Sequence, residues 1–272
     1  MTVPLSALML RRPSSLHEAL HMMQDEALTP TAGCTDVYVN LHFGVAQERR
    51  YIDLWPLAEL RGIVADGPTL RIGALTTYSD LIMSRLVRRR VPMLVAAAHE
   101  VGGKQIQNRG TIGGNIANGS PAGDSLPPLA AANAIVVLTS LSGERRVPIT
   151  DFFVGYRETT RRPDELIMAV EIPRIEGRQY WRKVGTRRAQ AISKVMCAAV
   201  NGPVVKVALG SVGPTVMRLP KTEHILSNRG RLEDAQAALR AEITPIDDIR
   251  STAQYRQNVS ANLLADFWQS TT

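Results

Sequence analysis

The sequence predicts an α+β protein built from successive units, and three observations carry that prediction. Segments with apolar residues at helical spacing are interspersed with short β-rich runs along the 272-residue chain. Near residue 56 a helix-and-strand stretch gives way to hairpin and helix signals, so we expect one unit over 1–56 and a second over 57–173. Pro173 to Gly177 then makes a natural linker, after which runs that alternate or cluster like antiparallel strands define a third unit over 177–272. The length is enough for a sizeable core.

Taken in order, Leu16, Ala19, Leu20 and Met23 recur at helical spacing behind Pro13, with Ser14 and Ser15 as N-caps. Val37 to Leu41 reads as a strand or a helix start, and Arg50 to Leu54 as an extended segment. Gly62 to Ala65, a turn at Asp66-Gly67-Pro68 and Thr69 to Gly73 form a hairpin. Thr77-Tyr78-Ser79-Asp80 precedes a helix through Arg85, and Pro92 opens another that stops at Gly102-Gly103. Leu126 to about Ala132 reads as a helix, with strands at Ala134–Thr139 and Leu166–Ile172. Beyond the linker, Tyr180–Val184, Val195–Val200 and Val204–Leu209 read as an antiparallel sheet, followed by helices over Leu232–Ala241 and from Thr252 to about Trp268.

Chemistry concentrates in two glycine-bearing stretches. Thr111 to Asp124, TIGGNIANGSPAGD, places Gly113, Gly114, Gly119 and Gly123 among small polar residues, and Thr31-Ala32-Gly33-Cys34-Thr35-Asp36 repeats the theme on a smaller scale. Glycine lets a ligand approach the main chain and lets N–H groups converge on a negative charge, so two such loops could clamp one diphosphate from opposite sides. No two glycines stand two apart and no GxxxxGK[ST] occurs, which excludes the dinucleotide fingerprint GxGxxG and the P-loop. A dinucleotide held here needs another fold.

The pair AGCTD and TIGGNIANGSPAGD resembles the FAD-binding medium subunit of the molybdenum hydroxylases, the family of carbon monoxide dehydrogenase and xanthine dehydrogenase. The resemblance covers essentially the whole chain, taking in Arg12 to Leu16, Ile72 to Thr77, Asp164 to Ile167, Lys183 to Ile192 and Ser251 to Arg256. It implies a two-part FAD-binding domain of the vanillyl-alcohol-oxidase (PCMH) type and a small α+β C-terminal domain like that of the carbon monoxide dehydrogenase flavoprotein. By the same resemblance Ala32, Gly33, Cys34, Thr35 and Asp36 supply one half of a diphosphate cradle, and Thr111, Ile112, Gly113, Gly114 and Asn115 the other. Asp124 is implied on the ribose side of the cofactor, with Leu166, Lys183 and Ile192 near the flavin. Cys34 departs from the glycine common at that position, and without a CxxC partner we read it as passive.

The role implied is electron transfer. Substrate is oxidised at a molybdenum–molybdopterin cofactor on a large partner subunit, and electrons pass through [2Fe-2S] clusters on a small iron–sulfur subunit to FAD on this chain and then to an external acceptor. A dimer of heterotrimers is the assembly the family suggests. Two other readings stay open: a free-standing FAD-dependent oxidoreductase acting on a small substrate, and a non-catalytic module whose loops are empty.

Composition narrows the field further. Cys34 and Cys197 are the only cysteines, too few to ligate an iron–sulfur cluster, so any cluster belongs to another chain. The formal charge of +7 raises a nucleic-acid reading, but the basic residues are scattered, aromatics make up only 5%, and no nucleic-acid motif occurs. His17-Glu18-Ala19-Leu20-His21 fits HExxH, yet no third ligand follows at a recognised spacing, so we expect a solvated helix face and no metal. No GxSxG is present and the histidines are dispersed, which argues against hydrolytic catalysis and leaves no catalytic residue to name. No apolar stretch approaches a membrane span and no signal peptide is evident, so a cytoplasmic location is expected.

Overall fold

The computed structural model describes residues 4–272. Its first sheet is built from β1 (Met9–Arg11), β2 (Thr29–Thr31) and β3 (Arg50–Asp53), with β3 in the middle and parallel to both neighbours. Parallel neighbours need crossovers, and these are α1 (Leu16–Asp25) and α2 (Val37–His42). Ser15 caps α1 through the Glu18 N–H, and the Glu18 carboxylate accepts in return from the N–H and Oγ of Ser14. Ala19, Leu20 and Met23 turn inward onto Ile52 and Leu54. His17 and His21 stay on the exposed face, and no cluster of three or more His, Cys, Asp or Glu able to hold a metal exists among the described residues.

Next come β4 (Ile63–Asp66), β5 (Thr69–Gly73), α3 (Tyr78–Met83), α4 (Arg85–Arg90), α5 (Pro92–Glu100), α6 (Lys104–Gln107), α7 (Ile112–Asn118) and α8 (Leu126–Ala131). The second sheet is completed by β6 (Ile135–Ser140), β7 (Gly143–Pro148) and β10 (Leu166–Ile172). Between these last two lie α9 (Ile149–Phe152) and a small hairpin of β8 (Phe153–Gly155) and β9 (Glu158–Thr159). The strands run in the order β4-β5-β10-β6-β7, all antiparallel. Ile72, Val136, Leu138 and Val170 on one face meet Leu81, Leu94, Ile112 and Leu129 from the helices, which forms the largest core.

The third sheet is an antiparallel meander of β11 (Arg178–Gly185), β12 (Ser193–Asn201), β13 (Lys206–Gly210) and β14 (Met217–Arg218). It is followed by α10 (Pro220–Ser227), α11 (Leu232–Glu242) and α12 (Ala253–Thr271). The unbroken apolar run in β12 is explained by burial on both faces. Val195, Cys197 and Ala199 pack with Leu239, Leu264 and Phe267 of α11 and α12, while Ala198 and Val200 join the core of the second sheet. Cys34 and Cys197 are both free thiols.

Beside the site, one segment settles an open sequence reading and another differs from the sequence reading. Val37–His42 is helical although Val37 and Val39 favour strands, because Asp36 already has helical dihedrals and the Tyr38 N–H closes onto the Cys34 carbonyl. Residues Ile112–Asn118, read as loop, form α7, N-capped by the Thr111 hydroxyl and ended by Gly119 in the left-handed conformation at φ 58°. The propensity cost of paired glycines is offset by seating Ile112 and Ile116 in the core, where both are fully buried.

Candidate functional site

A cavity of about 1220 Å³ opens between the three sheets. Its wall takes residues from the loop after β2, from the α7 region, from the hairpin and β10, and from the β12 and β13 ends of the third sheet. Ordinary small-molecule sites hold about 300–1,000 Å³, so the space suits a large ligand.

The loop Ala32–Asp36 lies along this wall. Cys34 adopts φ 61°, the left-handed region, at a cost of about 1 kcal/mol for a residue with a side chain. Its carbonyl and that of Asp36 are used to start α2, accepting from the N–H groups of Tyr38 and Asn40. The N–H groups of Gly33, Cys34, Thr35 and Asp36, by contrast, donate to no protein acceptor among the described residues. Consecutive N–H groups without partners on a cavity wall are the makings of an anion-binding concavity. Gly33 permits the close approach of the neighbouring segment, since a Cβ there would stand 1.7 Å from the Arg109 carbonyl oxygen. Burial pushes the Cys34 thiol up from its ordinary value, which disfavours the reactive thiolate.

The second motif is arranged differently. Thr111, Gly113, Gly114 and Asn115 line the cavity, but their N–H groups are mostly spent inside the protein. Ile112 donates to the Thr76 carbonyl at 3.0 Å, Gly113 to Ala74 at 2.9 Å, and Gly114 to the Thr111 hydroxyl at 3.1 Å. Ile112 therefore does not reach the cavity. Asn115 does, its Oδ1 held by the Ser125 hydroxyl at 2.6 Å.

Asp124 and Lys183 meet at the far end of this motif. Lys183 Nζ lies 2.8 Å from Oδ1 of Asp124 and hydrogen-bonds Oδ2 at 2.9 Å, and both side chains are nearly buried. Oδ1 receives no well-directed hydrogen bond among the described residues. Burial, opposed by the Lys183 ammonium, pushes the Asp124 carboxyl up to about 6. Lys183 also reaches the Glu100 carbonyl and lines a smaller neighbouring cavity rather than the main one. Leu166 and Ile192 both line the main cavity; Leu166 is buried, whereas Ile192 is half exposed at 54%.

Several wall residues carry no signal in the sequence. Arg157, in the turn of the β8–β9 hairpin, donates to the Asn118 side chain at 2.6 Å, and Asn118 donates in turn to Asp36 at 3.1 Å. This chain of contacts ties the first loop to the C-terminal end of α7. Burial raises the Asp36 carboxyl and Arg157 opposes it. Arg161 is also on the wall, and burial lowers its guanidinium from the ordinary value. Neither arginine sits in a recognisable motif; only the long-range folding of the hairpin brings them here.

Residues 6–175 match the model of the FAD binding domain in molybdopterin dehydrogenase, and residues 180–271 match the carbon monoxide dehydrogenase flavoprotein C-terminal domain. The chain belongs to the molybdopterin-dehydrogenase FAD-binding family. It is similar to the xanthine dehydrogenase FAD-binding subunit of Escherichia coli O157:H7, at 32% identity over 261 residues, 90% of this chain and 89% of that one. It also resembles the carbon monoxide dehydrogenase medium chain of Hydrogenophaga pseudoflava, at 34% over 230 residues and 80% of each. Among solved structures, a carbon monoxide dehydrogenase from Hydrogenophaga pseudoflava that lacks the Mo-pyranopterin moiety superposes with a TM-score of 0.90 and 30% identity, covering 97% and 96% of the two chains. A chain of this family is a flavoprotein subunit of an oxidoreductase.

The site fits FAD on its own terms. The unpaired N–H groups after β2 suit a diphosphate, and Asp124, on the cavity wall, offers a carboxylate to a hydroxyl of the ribose or ribityl chain. Among the described residues no helix is long and apolar enough to cross a membrane.

Proposed function

We propose that this chain is the electron-transfer subunit of a heterotrimeric molybdenum hydroxylase, receiving electrons from [2Fe-2S] clusters on a small partner subunit and passing them to an external acceptor. Substrate oxidation would take place at the molybdenum–molybdopterin cofactor of a large partner. The observation that carries the reading is the run of four unpartnered N–H groups at Gly33–Asp36 on the wall of a cavity large enough for a dinucleotide. The family's two domain models, covering nearly the whole chain, supply the rest of the support. The assembly we propose is a dimer of heterotrimers in the cytoplasm, with the chain divided at residue 56 and at 173–177.

In this reading Ala32 to Asp36 bind the diphosphate through the main chain. Thr111, Gly113, Gly114 and Asn115 close the opposite side as a shape-matched wall, with Ile112 anchoring that wall to the core. Asp124 accepts from a hydroxyl and is held in place by Lys183, while Leu166 and Ile192 exclude water from the ring system. FAD, when bound, supplies the redox chemistry; the protein binds, orients and shields it. A pair of arginines, Arg157 and Arg161, adds positive charge near the diphosphate.

Titration of FAD into the cofactor-free chain, followed by flavin fluorescence, should show saturable stoichiometric binding. No saturation at any concentration would overturn the cofactor assignment. The assembly is tested separately, by whether the natively purified chain is accompanied by a large and a small subunit, with iron–sulfur absorption present only when the small one is.

A further inference from the structure

The cavity wall also carries a buried arginine contributed by the third unit. Arg256, in the first turns of α12, is only 6% exposed, which is rare for arginine unless its donors are committed. Two of them are. Nη1 donates to the Ser211 carbonyl at 2.8 Å and Nη2 to Asp248 Oδ1 at 2.7 Å. Nε is without a partner among the described residues, so these two bonds alone hold the guanidinium. Asp248 is itself fixed by the N–H groups of Arg250 and Ser251, at 2.8 and 3.0 Å.

What the guanidinium grips is a strained turn. Ser211, just after β13, has φ 64°, a conformation that a residue with a side chain adopts only when its surroundings enforce it. That conformation lets the Ser211 N–H reach the Pro121 carbonyl at 2.9 Å, across the boundary between the second and third sheets. Its hydroxyl meets Ser193 Oγ at 2.7 Å. Gly210 makes the approach possible, because a Cβ there would lie 3.2 Å from the Pro121 oxygen and 3.0 Å from Pro127 Cγ. Pro121 opens the turn Pro121–Asp124, every residue of which lines the cavity.

We propose that Arg256 is a positioning residue for the cofactor: through Ser211 it fixes the Pro121–Asp124 turn and thereby the carboxylate that faces the ligand. The bidentate fork does this in a way that charge alone does not, since one planar group must satisfy a carbonyl and a carboxylate together. The proposal rests on the reading of this cavity as the FAD site.

The test uses the full chain with Arg256→Met and Arg256→Lys, comparing FAD affinity with amide hydrogen exchange resolved along the sequence. Wild-type binding is measured first, and its absence would overturn the cofactor reading itself. Arg256→Met should weaken FAD binding by about tenfold or more, the loss expected for a charged hydrogen bond that orders a site. Exchange should quicken at Ser211 and at the Gly123–Asp124 amides while β3 and β10 keep their rates. Lysine retains the charge but not the fork, so Arg256→Lys should recover only part of the affinity. Wild-type affinity in Arg256→Met, or weakening matched by faster exchange everywhere, would overturn the assignment. Should Arg256→Met not fold, Asp248→Asn removes the charged partner of the same fork and is judged by the same two readings.

Discussion

The two glycine motifs look alike on paper and do different work in the fold. In Ala32–Asp36 the main chain leaves its N–H groups free and places one residue, Cys34, in a left-handed conformation to do so. In Thr111–Asn115 the N–H groups of Ile112, Gly113 and Gly114 are consumed by Thr76, Ala74 and the Thr111 hydroxyl. The first motif is a donor set; the second is a buttress. Glycine in a binding motif can therefore serve the ligand directly or serve the packing that brings the wall close, and only the hydrogen-bond partners tell which.

Substitutions at the glycines sharpen this contrast. Gly33→Ala puts a methyl group into the Arg109 carbonyl and should cost about 3 kcal/mol or more in urea unfolding and abolish FAD binding. At Gly113 a Cβ would stand 2.6 Å from that of Ala74 and 2.8 Å from its carbonyl oxygen. Gly113→Ala should therefore cost about 1–3 kcal/mol of stability, with FAD affinity of the folded protein changed only a few-fold. Gly114 is open except for the Thr111 hydroxyl at 2.9 Å. Gly114→Ala disturbs that capping hydroxyl and should cost about 1 kcal/mol of stability while weakening FAD binding roughly tenfold. If Gly113→Ala lost binding without losing stability, the buttress reading would fail.

Both motifs also end in an aspartate whose carboxyl is raised by burial, Asp36 against Arg157 and Asp124, at about 6, against Lys183. A raised carboxyl stabilises the fold fully below its unfolded value of about 3.9 and loses that contribution as the pH climbs through the folded value. Without cofactor, the chain should lose stability from Asp124 between about pH 4 and 6, and from Asp36 as the pH rises above its unfolded value. Asp124→Asn should flatten that slope in urea titrations run across the range; an unchanged slope would remove Asp124 from the account. The smallest effect belongs to Cys34→Gly, which relieves the left-handed strain and should add up to about 1 kcal/mol with FAD affinity unaltered.

Much of this architecture was legible in local patterns. The hairpin of β4 and β5, the strands β6, β10 and β12, and the helices α1, α5 and α8 announce themselves through caps, turns and apolar spacing. The α7 helix was hidden because its paired glycines look like loop chemistry, and the energy that makes it helical comes from burying Ile112 and Ile116 against a distant sheet. For the same reason Arg157, Arg161 and Arg256 were invisible as wall residues. Each is contributed by an element whose place depends on tertiary packing, and even Arg256, which ends the Ser251–Arg256 stretch that carries part of the resemblance, gives no hint in sequence of what it will face. The two motifs themselves stood out because close main-chain approach restricts residue choice strongly and locally.

The cavity draws its wall from all three sheets, so whatever fills it acts as a staple across parts of the chain far apart in sequence. A ligand that binds only the folded form adds about 4 kcal/mol at a thousand times its dissociation constant, comparable to the whole stability of a marginal domain. The stability of the chain then depends on how fully the cofactor occupies it. Copies of the chain that lack the cofactor are then the less stable ones, and the parts the ligand would join are the first to open.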